Sequence, residues 1–61
     1  MPDVDNVIAD PARDITYVVK AYRRLTREEM VAAVRAFHLK NRKKLKPGQT
    51  VTIVSLIGSR G

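Results

Sequence analysis

The short length of the chain and its lack of cysteine together most constrain what it can fold into. A chain of 61 residues buries only about 60% of the surface that its unfolded form exposes, so little free energy is left to oppose conformational entropy. Disulfides and thiolate metal sites are the usual supports of such small chains, and both are excluded because there is no cysteine. We therefore expect one small domain whose core is enlarged by a partner.

The clearest local pattern marks the start of a helix. Thr26 and Glu29 are spaced as a capping box, in which each side chain accepts a hydrogen bond from the backbone N–H of the other residue. Leu25 and Met30 flank the cap at the positions of a hydrophobic staple, and apolar residues then recur at helical spacing. These patterns predict a helix over residues 26–43.

Residues 15–24 carry two overlapping patterns. Ile15 and Tyr17 belong to an alternation of inward and outward positions that is rich in β-branched residues, which is typical of a strand. The helical alternative rests on the preceding Asp10-Pro11 pair, which resembles a helix start, and on an apolar stripe at helical spacing formed by Ile15, Val18, Val19, Tyr22 and Leu25. We favour the strand and keep the helix as the alternative.

The C-terminal part of the chain predicts a turn followed by a strand. Pro47 and Gly48 suit a type II turn, and residues 50–57 then read as a strand. The second half of this strand is apolar on both faces, so it needs cover on two sides. We expect an interface there, formed by Val54, Leu56 and Ile57.

These elements predict an α+β fold, a single small two-layer domain over residues 14–58. Its order is strand–helix–strand, with helix–helix–strand as the alternative. Residues 1–13 mix proline, aspartate and asparagine without a period, and we expect a mobile acidic leader there. Residues 59–61 are expected to be a frayed C-terminus. Because two strands alone are marginal in water, we predict that a homodimer completes the sheet.

Positive charge is concentrated beyond the N-terminal segment. The chain has a net charge of +6; residues 1–14 hold four aspartates and one arginine, net −3, whereas residues 15–61 hold eleven bases and two acids, net +9. Such density suits a phosphate backbone, although cations near a helix C-terminus also complement the helix dipole. The candidate binding residues form one group before the helix and one at its C-terminal end: Lys20, Arg23, Arg24, Arg27, Lys40, Arg42, Lys43, Lys44 and Lys46.

The sequence therefore predicts a small non-enzymatic module that binds DNA or RNA with low sequence preference. The alternative is a protein–protein interaction or homodimerisation domain in which the positive charge serves only solubility. If residues 15–24 form a strand, Tyr17 and Tyr22 lie on opposite faces, and an exposed one would offer a stacking platform for bases.

Other classes of function find little support in the residues. His38 is the single histidine and has no carboxylate among its helical neighbours, while the glycine spacings fit no phosphate-binding loop. We expect no enzyme activity, no cofactor, no metal and no small-molecule substrate. No apolar run approaches the roughly 18 residues that span a bilayer, and the start of the chain is acidic, so we expect a cytoplasmic protein without a membrane partner.

Overall fold

The structure is a computed structural model that describes residues 1–42 and 44–59. In this part of the chain, three strands form one sheet and one helix packs on it, which confirms a small α+β domain. The elements in chain order are β1 (Val4–Asp10), β2 (Ile15–Ala21), α1 (Arg27–Lys40) and β3 (Thr50–Val54). Strand β2 is central, antiparallel to β1 and parallel to β3. Of the predicted frayed terminus, residues 59–61, only Ser59 is among the described residues.

Strand β1 lies in the segment that the sequence predicted as a mobile leader. It pairs with β2 along its whole length, so the prediction that residues 1–13 stand outside the folded domain is wrong. Periodicity did not reveal this strand because both of its faces are mixed: Asn6 is buried, whereas Val7 is exposed. The sheet therefore begins at Val4 and not after residue 13.

A tight turn joins β1 to β2. The side chain of Asp10 accepts a hydrogen bond from the N–H of Ala12 at 3.1 Å, which is an Asx turn, and the Asp10 carbonyl accepts from Arg13 N–H at 3.3 Å. Asp14 closes the turn with a positive φ of 53°, and its carbonyl accepts from Gly48 N–H at 2.7 Å. The aspartate that resembled a helix start thus begins a hairpin.

Residues 15–21 form a strand, so the helix–helix–strand alternative is wrong. The side chains of β2 alternate between a buried face and a half-buried face. A strand in the centre of a sheet has neighbours on both sides, which explains why its inward positions are almost fully covered. These positions are at most 3% exposed and are Ile15, Tyr17, Val19 and Ala21.

Helix α1 confirms the predicted capping box. Glu29 N–H donates to the Thr26 hydroxyl at 3.2 Å, and Thr26 N–H donates to the Glu29 carboxylate at 3.0 Å. The helix ends at Lys40, earlier than predicted, because Asn41 adopts an extended conformation, and Arg42 is not helical either. The predicted last residue, Lys43, lies outside the described residues.

The turn before β3 follows the prediction for the Pro-Gly pair. Gly48 has a φ of 80°, a value that residues with a Cβ rarely adopt, and Gln49 N–H donates to the Lys46 carbonyl at 3.3 Å. The turn is also held to the hairpin by the bond from Gly48 to Asp14. Both connections therefore meet at one end of the sheet.

Strand β3 ends at Val54, three residues before the predicted end at Ile57. The chain nevertheless keeps contact with β2 and the residue that follows it. Ser55 N–H donates to the Lys20 carbonyl at 2.8 Å, and Tyr22 N–H donates to the Ile57 carbonyl at 3.1 Å. Residues 55–57 therefore continue beside the sheet in an irregular form.

The hydrophobic core lies between α1 and one face of the sheet. Ile15, Tyr17 and Val51 form its buried centre. Partly buried residues from β1, α1, β3 and the α1–β3 connection surround it: Ile8, Val34, Phe37, Leu45 and Ile53. Three strands with a helix satisfy what a sheet needs for independent stability, so the two-strand argument for a homodimer no longer applies.

Candidate nucleic-acid interface

The predicted basic residues lie in two groups at opposite ends of α1. Lys20 lies in β2, Arg23 and Arg24 follow it, and Arg27 is the first residue of the helix. The second group begins at the last helical residue and continues into the connection to β3 with Lys40, Arg42, Lys44 and Lys46; Lys43 lies outside the described residues. The helix between the groups is about 20 Å long, so they do not form one compact patch.

Two residues of the first group are paired with acids. The Arg23 guanidinium forms a bidentate ion pair with Glu29, with one N–O distance of 2.9 Å, and also donates to the Arg24 carbonyl at 3.0 Å. Lys20 lies 3.9 Å from Asp5 on the neighbouring strand. Arg23 therefore fixes the start of the helix, and its charge is largely compensated.

The Arg23–Glu29 pair changes the titration of both groups. The Arg23 guanidinium, followed by the Thr26 backbone N–H, lowers the pKa of Glu29 to about 2. Reciprocally, the hydrogen bond with Glu29 raises the pKa of Arg23. The carboxylate that caps the helix is therefore ionised at all ordinary pH values.

The structure adds two basic residues that the sequence analysis did not select, Arg13 and Arg35. Arg35 lies on α1 two turns after Arg27, and together they border a cavity of about 290 Å³. Arg35 and Arg13 border the next depression with His38, and Arg13 and His38 share a third one with Lys44. Neighbouring depressions thus have residues in common. We call the continuous surface of Arg27, Arg35, Arg13, His38 and Lys44 the basic track.

The basic track has an apolar floor and few acids. Ile8, Tyr17 and Val34 line the cavity between α1 and β1. Asp10 borders the same cavity and lies 3.9 Å from Arg13, an exposed pair that contributes little. Within the described residues, Arg27, Arg35 and Lys44 form no ion pair. Most of the positive charge along the track is thus available to an external anion.

His38 has a partner that its helical neighbours did not reveal. Its Nε2 lies 2.9 Å from the Tyr17 hydroxyl, and the two rings meet edge to face with centroids 5.7 Å apart. Tyr17 lies 21 residues earlier in the chain. Helical spacing cannot reveal a contact with a neighbouring strand, so sequence analysis missed this pair.

The two tyrosines differ in their exposure, as expected for side chains on opposite faces of a strand. Tyr17 is 2% exposed and belongs to the core, whereas Tyr22, directly after β2, is 38% exposed. Phe37 packs against the core. Tyr22 is therefore the aromatic side chain that remains accessible for base stacking.

The predicted interface residues differ in exposure. Val54 and Leu56 are 67% and 75% exposed, whereas Ile57 is half-buried. Val54 belongs to the sheet side opposite α1, which no described residue covers as a second layer. We call this side the open face; its members are Asp5, Val7, Ala9, Thr16, Val18, Lys20, Thr50, Thr52 and Val54.

Among the residues that the structure describes, no three His, Asp or Glu side chains are grouped to hold a metal ion. Helix α1 is neither long nor apolar enough to cross a membrane. Comparison of the chain with protein-family models, with curated proteins and with solved structures finds no match. The class of the protein is therefore defined by its architecture, a small α+β domain.

Proposed function

We propose that this domain is a non-enzymatic module that binds nucleic acid through the phosphate backbone, with low sequence preference. The observation that supports this most strongly is the basic track. Arg35 and Arg13 lie between Arg27, in the first basic group, and Lys44, in the second, so positive charge continues along one side of α1. Backbone contacts carry no sequence information, which accounts for the low preference.

The basic track is long enough to contact several successive phosphates of one strand. Arg27 and His38 are eleven residues apart on the helix, which corresponds to about 16 Å, and Lys44 extends the surface further. A DNA strand carries one phosphate per roughly 3.4 Å of axis, so about four cations can each meet a phosphate. Neutralising about four phosphates gives a slope near −3.6 for log affinity against log salt on duplex DNA.

Fluorescence anisotropy with a labelled oligonucleotide, single-stranded or duplex, tests the proposal. We expect binding at about 50 mM NaCl and a steep loss of affinity at about 200 mM. Arg35→Gln and Lys44→Gln should each weaken binding on any sequence and reduce the salt slope by about one.

Lys20→Gln is the matched control because it removes the same charge from the open face, on the far side of the sheet. It should leave most of the affinity intact. Absence of binding even at low salt would refute the proposal. An equal effect of Lys20→Gln and Arg35→Gln would show that total charge matters and that the track does not.

The open face favours a second function, homodimerisation, with a second copy of the chain as the occupant. Val7 is 64% exposed and Val54 67% exposed on this face. Asp5 and Lys20 lie side by side on the neighbouring strands β1 and β2, so a two-fold axis can bring the Asp5 of one copy to the Lys20 of the other. The face opposes the helix, and dimerisation would therefore leave the basic track accessible.

The size of the open face limits the strength of such a dimer. Five paired residues and three strands correspond to about 17 Å by about 14 Å, or roughly 240 Å² in projection. Stable interfaces bury about 800 Å² of accessible surface per partner. The proposed dimer is therefore weak and depends on protein concentration.

A further inference from the structure

We propose that His38 is a phosphate ligand within the basic track and that nucleic-acid binding at this position takes up a proton. This inference rests on the proposed function and specifies one subsite of it. The position is occupied by three groups from separate parts of the chain: His38 on α1, Arg13 in the β1–β2 turn and Lys44 in the α1–β3 connection.

The surroundings of His38 attract an anion. Arg13 and Lys44 share one depression with it, and Arg13 and Arg35 share the neighbouring one. Within the described residues, no carboxylate lines either depression, although Asp10 lies 3.9 Å from Arg13. A phosphate bound here would therefore meet cations on three sides.

The bound phosphate itself explains why protonation of His38 would accompany binding, because an anion placed beside an imidazole ring favours the imidazolium. Arg35, one turn earlier on α1, borders the same depression as His38 and adds to the positive surroundings of the bound phosphate. Histidine changes its charge between about pH 5 and pH 8, so the coupling falls within an accessible range.

Tyr17 can support both charge states of the ring. Its hydroxyl contacts His38 Nε2 at 2.9 Å. A hydroxyl can donate a hydrogen bond to a neutral ring nitrogen or accept one from a protonated ring nitrogen. The ring therefore keeps its orientation in either state, with Nδ1 left to donate to phosphate oxygen. Tyr17 acts as a positioning residue.

Binding of a labelled oligonucleotide at about pH 8 and about pH 5.5 tests the inference, because phosphodiesters keep their charge over this range and His38 is the single histidine. We expect affinity to rise about two- to fivefold as the pH falls, the range of one exposed ion pair. His38→Gln removes this ligand and should abolish the rise in affinity between pH 8 and pH 5.5. Tyr17→Phe should show a smaller rise than the wild-type protein, because the ring loses the hydroxyl that positions it.

Proton uptake by the wild-type protein gives a second measurement that does not depend on the folding of a variant. Calorimetric titration of the oligonucleotide in two buffers of different ionisation enthalpy should show net uptake near pH 6.5. Binding with no pH response and no uptake would overturn the role of His38 while leaving the proposed function intact. The same pH response in His38→Gln would also overturn it. Failure to bind at either pH would instead refute the proposed function.

Discussion

At the residue scale, Asn6 is the polar side chain on which the connection of β1 to the rest of the domain most depends. Its amide donates to the Val19 carbonyl at 3.3 Å and to the Arg23 carbonyl at 3.1 Å. Its carbonyl accepts from Leu25 N–H at 2.8 Å. One buried side chain therefore bonds to the central strand and to the segment that leads into the helix.

We predict that Asn6→Ala destabilises the domain by about 2–4 kcal/mol, because each buried partner left unsatisfied costs about 1–3 kcal/mol. A domain of this length is stable by only about 3–9 kcal/mol, so the variant is close to unfolding. Urea unfolding followed by circular dichroism measures the change. Asp5→Asn, on the exposed side of the same strand, is the control and should remain within about 0.5 kcal/mol. A loss below about 1 kcal/mol for Asn6→Ala would contradict this reading.

At the scale of the elements, the start of α1 depends on an ionised Glu29. Its carboxylate accepts from Thr26 N–H and pairs with Arg23. The pKa of Glu29 is about 2 in the folded protein and 4.5 ordinarily, so the unfolded chain binds the proton more readily. The stabilisation is therefore present above about pH 4.5 and is lost as the pH falls toward 2.

Glu29→Gln should have a lower melting temperature than the wild-type protein at neutral pH, and this difference should shrink as the pH falls from about 5 to about 2.5. Glutamine preserves the reach of the capping box but removes the charge. Glu28→Gln makes the same charge change at the adjacent position and should show no comparable convergence. Melting curves recorded at several pH values test this, and a difference that stays constant with pH would exclude the assignment.

At the scale of the whole molecule, the open face is the surface through which we expect two copies of the chain to associate. Sedimentation velocity over a range of protein concentrations should show weak, reversible dimerisation of the wild-type chain. Val54→Lys places a charge on the open face and should leave only the monomer. Val31→Lys adds the same charge on α1, where Val31 is 36% exposed, and should dimerise like the wild type. A wild-type monomer at every concentration would remove the proposed dimer.

Much of the fold was predictable because its signals are local. The capping box joins Thr26 and Glu29, three residues apart, and the turn at Gly48 depends on the conformations of adjacent residues. Strand β1 was not predictable in this way, since the polar Asn6 occupies an inward position and is satisfied by residues 13 to 19 positions away. A polar residue that the tertiary structure supplies with partners interrupts the alternation on which sequence analysis depends.

The candidate site was predictable as charge but not as a surface. Both basic groups were evident in the sequence, yet Arg23 is paired with Glu29, and the residues that link the groups are Arg13 and Arg35. Neither stands within a dense run of bases, so composition gave no reason to select them. Their proximity follows from the hairpin turn, which places Arg13 beside the helix.

The sequence by itself determined one small basic domain with a capped helix, a strand on each side of it and a surplus of positive charge. These properties follow from composition and from contacts within a few residues. The tertiary structure decided that the acidic N-terminal segment is a third strand, that Tyr17 holds His38, and that separated bases form one track. Each of these depends on contacts between distant segments. Sequence periodicity indicates which side of an element a residue faces, but it does not show which distant residue that side chain contacts.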